Sequence, residues 1–308
     1  MDKKKSLLIK VAISVGVIVV IAWKVDLSLL LEALKQTRIS FLLLGFVLYP
    51  MAQIICALKW RYLAQALGIK GKLGPMVRLY FIGIFFNLFL PTSIGGDITR
   101  GMYLQSSSGK TSLSFLSVFV ERATGVLAML IISSILLISP VGSPLPPWLR
   151  YGFPVASLTT IIVLWLLPKI IPARFSRIQK IVREDLIIFW KRPEIVGLAV
   201  LYSAIFDWML IVIHILIGHA ISIHVPPLYY FITMSLGSLI GILPSLNGIG
   251  VRDGSYIYLL GRVSIQKEEA FLFSILWFIV MVGSGVIGYL LYLIKGMQPA
   301  VESSSRTG

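Results

Sequence analysis

Runs of apolar residues recur along the chain at 7–23, 39–58, 113–138, 148–167, 195–218 and 270–294. Each is long enough, at about 1.5 Å per residue, to cross a hydrocarbon core about 30 Å thick. A water-soluble fold of this length cannot hide such stretches, because polar side chains must still cover its surface. Only 13% of the residues are charged, against about 25% in soluble domains. The runs are also longer than the roughly 10-residue alternating strands of a membrane barrel. The sequence therefore predicts an all-α polytopic membrane protein, and the run at 7–23 is expected to be an uncleaved first helix. It follows Lys3, Lys4 and Lys5, and Lys24 and Asp26 come after it instead of a small-residue cleavage site.

The net charge of +15 does not point to nucleic acid, since no basic soluble segment is there to carry it. Lys and Arg gather instead in short connecting segments, as orientation in a bilayer requires. One segment, within 174–192, sets Phe175, Ile178, Ile181, Val182, Leu186 and Phe189 at helical spacing against Arg174, Arg177, Lys180 and Arg183. It reads as an amphipathic helix on the cytoplasmic surface. Residues 27–35 form a shorter version, expected on the opposite side. Cys56 is the single cysteine, so no intrachain disulfide or cysteine metal cluster is available.

Two further apolar stretches, 76–104 and 228–260, are interrupted. The first breaks at Pro91-Thr92-Ser93-Ile94-Gly95-Gly96 and the second at Pro244-Ser245-Leu246-Asn247-Gly248-Ile249-Gly250. Each either spans once as a broken helix or returns to its own side as a re-entrant hairpin. The charges decide for hairpins. With Lys3–Lys5 inside, hairpins place Lys59, Arg61, Lys70, Lys72 and the basic segment 174–192 inside, and the Lys/Arg-free loops 140–147 and 219–227 outside. The expected architecture is six full spans plus two re-entrant hairpins, a single transmembrane domain over 1–308 with both termini cytoplasmic. Span, hairpin and span then occur twice, at 39–138 and 195–294, with the hairpins entering from opposite sides. That is an inverted-topology repeat, common in secondary transporters; the alternative is two interruptions that arose independently.

Ionisable groups in hydrocarbon are costly and mark function or pairing. Asp97 and Arg100 follow the first tip, Arg252 and Asp253 follow the second, and Glu121 and Arg122 lie about two turns inside the third span. Asp207 sits near the middle of 195–218, with His214 two turns on, while Asn87 and Asn247 flank or occupy the tips. Gly95, Gly96 and Gly248 open the two inner helices, where free backbone N–H groups beside an Arg make an anion site. Arg122 joins Arg100 and Arg252 as the guanidinium donors suited to phosphate. The competing reading is that these charges are structural ion pairs.

The segment Phe81-Ile82-Gly83-Ile84-Phe85-Phe86-Asn87-Leu88-Phe89-Leu90-Pro91-Thr92-Ser93-Ile94-Gly95-Gly96-Asp97 resembles the signature of the lysylphosphatidylglycerol synthase transmembrane-region family, flippase-like membrane proteins. Val120-Glu121-Arg122-Ala123-Thr124-Gly125 is similar to its acidic-Arg motif, and 243–253 to its C-terminal motif; Trp60-Arg61 also fits. The resemblance implies lipid translocation. It also implies that this chain, which ends shortly after the last run, lacks the synthase domain and does not aminoacylate lipid. The expected partners are membrane lipids, phospholipid or isoprenoid-linked, with a homo-oligomer compatible; no cofactor or metal is expected. A small-solute or ion transporter and an integral-membrane lipid-phosphate enzyme are the rival readings.

Overall fold

The computed structural model describes residues 27–89, 95–108, 111–170, 186–240 and 250–295. Among them every long element is a helix: α1 (Leu27–Lys35), α2 (Ile39–Ala66), α3 (Leu73–Phe89), α4 (Gly95–Ser108), α5 (Thr111–Ile138), α6 (Pro147–Ile170), α7 (Ile187–Lys191), α8 (Pro193–Ala220), α9 (Pro227–Ile240), α10 (Val251–Gly261) and α11 (Lys267–Lys295). Four of them carry stretches long and apolar enough to cross a membrane, at Ile39–Ala66, Ser112–Ile138, Pro193–Ala220 and Lys267–Ile294. The expected run at 7–23, most of 174–192 and both Pro-containing tips lie outside the described residues.

α2 and α8 form the centre. They run antiparallel, since the Arg38 N–H before α2 donates to the Ala220 carbonyl at the end of α8 (2.8 Å). α2, α3, α4 and α5 pack in sequence, and α5 closes back on α2. α8, α9, α10 and α11 repeat each of these pairings. Between the quartets, α2 against α11 corresponds to α8 against α5, and α3 against α11 to α9 against α5. The links at 67–72 and 109–110 are short, so the α3–α4 pair opens at the end of the bundle where α2 stops. The links at 221–226 and 262–266 place the opening of α9–α10 where α8 stops. Because α2 and α8 are antiparallel, these are opposite ends. α6 packs chiefly on α5 and turns Trp148, Tyr151, Val155, Leu158 and Ile162 outward, as a lipid-facing helix does.

Backbones meet closely inside the α3–α4 pair. A Cβ on Gly96 would stand 1.8 Å from the Gly83 carbonyl oxygen. Across the quartets, one on Gly288 would stand 2.0 Å from the Phe81 carbonyl oxygen. Small residues allow such approach where there is no hydrophobic effect to hold helices together. Gly96→Ala is expected to destabilise by about 1–3 kcal/mol, read as a lowered thermal midpoint in detergent. Gly152→Ala, where an added Cβ meets nothing within 4 Å, should leave the midpoint unchanged.

Candidate functional site

Lys59 lies seven residues before the end of α2, and Glu121 and Ser203 each ten residues after the starts of α5 and α8. All three therefore fall about 10–15 Å in from the same end of the bundle, and they are joined. Glu121 Oε1 is 3.2 Å from Lys59 Nζ, and its Oε2 is 3.0 Å from Arg100 Nη2. Lys59 also donates to the Glu121 carbonyl (2.9 Å) and the Ser203 hydroxyl (3.0 Å). Arg100 Nη2 reaches Asp97 Oδ1 at 2.7 Å. Arg122 grips both oxygens of Asp97 through Nε and Nη2, each at 3.0 Å, the bidentate geometry only Arg offers. The Arg100 guanidinium also lies over the rings of Trp60 (5.0 Å) and Tyr80 (4.4 Å). Three cations here face two carboxylates, so one positive charge is left over.

Exposure divides the network. Lys59, Arg100 and Glu121 are about 2% exposed, and their pairing offsets a desolvation penalty of several kcal/mol per ion. The Arg122 side chain is 50% exposed, so its guanidinium is the open end of the network.

A second group opens α10. Gly250 has φ 82°, the left-handed region that glycine enters without strain, and its N–H donates to Asp253 Oδ2 (2.9 Å). Asp253 Oδ1 accepts from the Ser274 hydroxyl (2.9 Å). Arg252 is buried, yet its Nη2 stays 3.7 Å from Asp253 Oδ1, beyond hydrogen-bond range. Its other neighbours are the Met281 sulfur at 3.6 Å and the Phe278 ring at 5.6 Å, and its Nε has no hydrogen-bond partner. The two groups hold related positions. Arg100–Glu121 ties α4 to α5, and Asp253–Ser274 ties α10 to α11, both residues 153 further on (100 to 253, 121 to 274).

The model of the lysylphosphatidylglycerol synthase TM region matches residues 7–288. The chain belongs to this family. It is also similar to the UPF0104 membrane protein MJ1595 of Methanocaldococcus jannaschii, 26% identical over 100 residues, which is 32% of this chain. That alignment spans 30% of the relative's own length. No solved structure matches the chain.

In this member of the lysylphosphatidylglycerol synthase membrane-region family, the site residues read from the sequence take three positions. Asp97, Arg100, Glu121 and Arg122 come together, and Arg252 and Asp253 form the second group. Asp207 is 3% exposed, and its Oδ2 has no hydrogen-bond partner. Asn247 and Gly248 lie outside the described residues. Two of the glycine N–H groups expected to be free are taken: Asn87 Oδ1 accepts from the Gly96 N–H at 2.7 Å, and Asp253 takes the Gly250 N–H. A buried backbone donor must find an acceptor, and these side chains supply it, so Asn87 and Asp253 cap helices and Gly96 serves close packing. Arg100 is likewise enclosed by Asp97, Glu121 and two rings and braces α4 against α5.

Lys59, Ser203 and Ser274 were not singled out from the sequence. Lys59 follows the apolar run that ends at residue 58, which makes it look like a loop charge, but α2 continues to Ala66 and keeps it in the helix. His214, two turns after Asp207 on α8, is enclosed by aromatic residues: Nε2 is 2.8 Å from the Tyr256 hydroxyl and the ring packs on Trp277 and Phe273. Among the described residues no group of three or more His, Cys, Asp or Glu side chains is placed to hold a metal ion.

Proposed function

We propose that this protein moves a lipid with an anionic, phosphate-containing head group between the leaflets of the cytoplasmic membrane, as a carrier and not as an enzyme. The observation that carries the reading is Arg252. It is a buried guanidinium whose nearest carboxylate is occupied by other donors. A cation whose carboxylate stands 3.7 Å away and is shared with two other donors stays costly in a membrane interior, and an anionic guest relieves that cost. Arg122, half exposed in the other quartet, supplies a second guanidinium. The planar fork of Arg suits phosphate oxygens.

The matching helix pairings of the two quartets, and hairpins that open at opposite ends, support an inverted-topology repeat of 39–138 and 195–294. With the run at 7–23 and α6, this gives six full spans and two re-entrant hairpins. In such a repeat, tilting one half against the other exposes a central site to each side in turn. The lipid tails stay in the bilayer while the head group passes Arg122 and Arg252.

The test is translocation in proteoliposomes. An NBD-labelled phosphatidylglycerol is expected to change leaflet at least about tenfold faster than in protein-free vesicles, a barrier lowered by about 1.4 kcal/mol or more. NBD-glucosylceramide, which has no phosphate, should move at the protein-free rate. Equal acceleration of both lipids would remove the phosphate site from the account. Acceleration of neither would favour a small-solute carrier.

A further inference from the structure

We infer that Asp207 is a proton-binding site, and that its protonation decides which of two carboxylates Lys59 serves. The inference rests on the carrier reading for what the proton drives, and it concerns a residue apart from the Arg groups. Asp207 lies fourteen residues into the 28-residue α8, at mid-helix, so bulk water is about 20 Å away in either direction along the helix. It is 3% exposed, and its Oδ2 has no hydrogen-bond partner among the described residues. A buried carboxylate without a partner is retained in hydrocarbon only for a reason.

The reason lies one turn away. Ser203 is four residues before Asp207 on the same face of α8, and its hydroxyl accepts from Lys59 Nζ at 3.0 Å. Lys59 therefore touches Glu121 at 3.2 Å and, through Ser203, reaches the turn of α8 next to Asp207. Among the described residues of the elements packed against α8, α2 brings Lys59, Arg61, Cys56, Tyr49 and Tyr62. α5 brings Glu121, already held by Lys59 and Arg100, and Arg122, held by Asp97. α9 has no charged residue, and α11 carries Lys267, Glu268, Glu269 and Lys295 at its ends only. α7 has Lys191 at its last position, and on α8 itself His214 is bound to Tyr256; Glu194 and His219 sit in the helix's terminal turns.

Two arrangements follow. With a proton on Asp207, Lys59 stays on Glu121 and the network of α4 and α5 is locked, as in this structure. When the proton leaves, the new carboxylate attracts the ammonium past Ser203. Glu121 then loses one of its two cations, and the contact between the quartets changes. The proton is taken from one side of the membrane and released to the other, so a proton gradient biases the cycle.

The test has two arms. In the first, infrared difference spectra of the protein in phosphatidylglycerol-containing vesicles are recorded between about pH 5 and about pH 9, well above the range of an ordinary carboxyl group. Wild type is expected to show the C=O band of a protonated carboxyl group at the acid end that disappears at the alkaline end. Asp207→Asn should lack the band. Glu121→Asp, whose shorter arm loosens the hold on Lys59, should lose it at lower pH, because Lys59 is freer to stabilise the ionised Asp207. In the second arm, an imposed pH gradient should speed NBD-phosphatidylglycerol translocation by wild type several-fold and leave Asp207→Asn unaffected. A band that survives in Asp207→Asn, its absence from wild type, or wild-type translocation indifferent to the gradient would overturn the inference. A band that belongs to Asp207 and shifts in Glu121→Asp, with no lipid moved, would uphold the proton site and remove the lipid reading instead.

Discussion

Glu121→Ala is expected to destabilise the fold by about 3–5 kcal/mol, the range for breaking a buried ion pair on one side. Glu121 is the one carboxylate within salt-bridge distance of Lys59 among the described residues, and it also pairs with Arg100. Removing it leaves two cations, each about 2% exposed: Arg100 keeps Asp97, and Lys59 is left with no carboxylate within salt-bridge distance among the described residues. The Lys59 side chain cannot snorkel to water readily from about 10 Å inside the helix end. The expected result is a large fall in thermal midpoint in detergent and little protein in the membrane fraction. Arg192→Ala breaks a pair whose side chains are 59% exposed on both sides, and no measurable change is expected there. A wild-type midpoint for Glu121→Ala would show that the network stores no stability.

Much of the fold was legible because the period and length of apolar runs report directly on bilayer thickness. The helices at 39–66, 111–138, 193–220 and 267–295 extend the predicted runs by a few residues at their ends. The extra turns are polar, as where Lys59, Trp60 and Arg61 continue α2. Hydropathy alone ends a helix where charge begins, so it cut α2 short and hid Lys59. The charged residues of the site were visible as exceptions to apolar composition. Their pairing was not, because it depends on which helix faces meet. Sequence spacing put Asp207 and His214 together on one face of α8. The structure gives the His214 ring to aromatic residues of α9, α10 and α11 and leaves Asp207 Oδ2 without a hydrogen-bond partner among the described residues. Side-chain capping of Gly96 by Asn87 and of Gly250 by Asp253 was likewise out of reach, since it needs the backbone path at each helix start.

Arg252→Gln and Arg122→Gln are expected to abolish lipid movement while sparing the fold, the reverse of Glu121→Ala. Loss of Arg252 leaves Asp253 with the Gly250 N–H and the Ser274 hydroxyl. Loss of Arg122 leaves Asp97 with Arg100. Neither change strands a buried carboxylate, so the thermal midpoints should stay near wild type. Each removes one guanidinium from the path of the head group, and a charge-assisted bidentate contact contributes roughly 1.5–3 kcal/mol. That corresponds to a loss of about tenfold to a hundredfold in rate for each variant, and more for the double variant. Lysine at either position should restore little, since a point charge lacks the fork. The most direct measurement is NBD-phosphatidylglycerol translocation in proteoliposomes for wild type, Arg122→Gln, Arg252→Gln and the double variant, at equal incorporation and with midpoints recorded on the same samples. The account predicts near-native midpoints with translocation falling to the protein-free rate in the double variant. Wild-type translocation by all three variants would contradict it and return these arginines to a structural role.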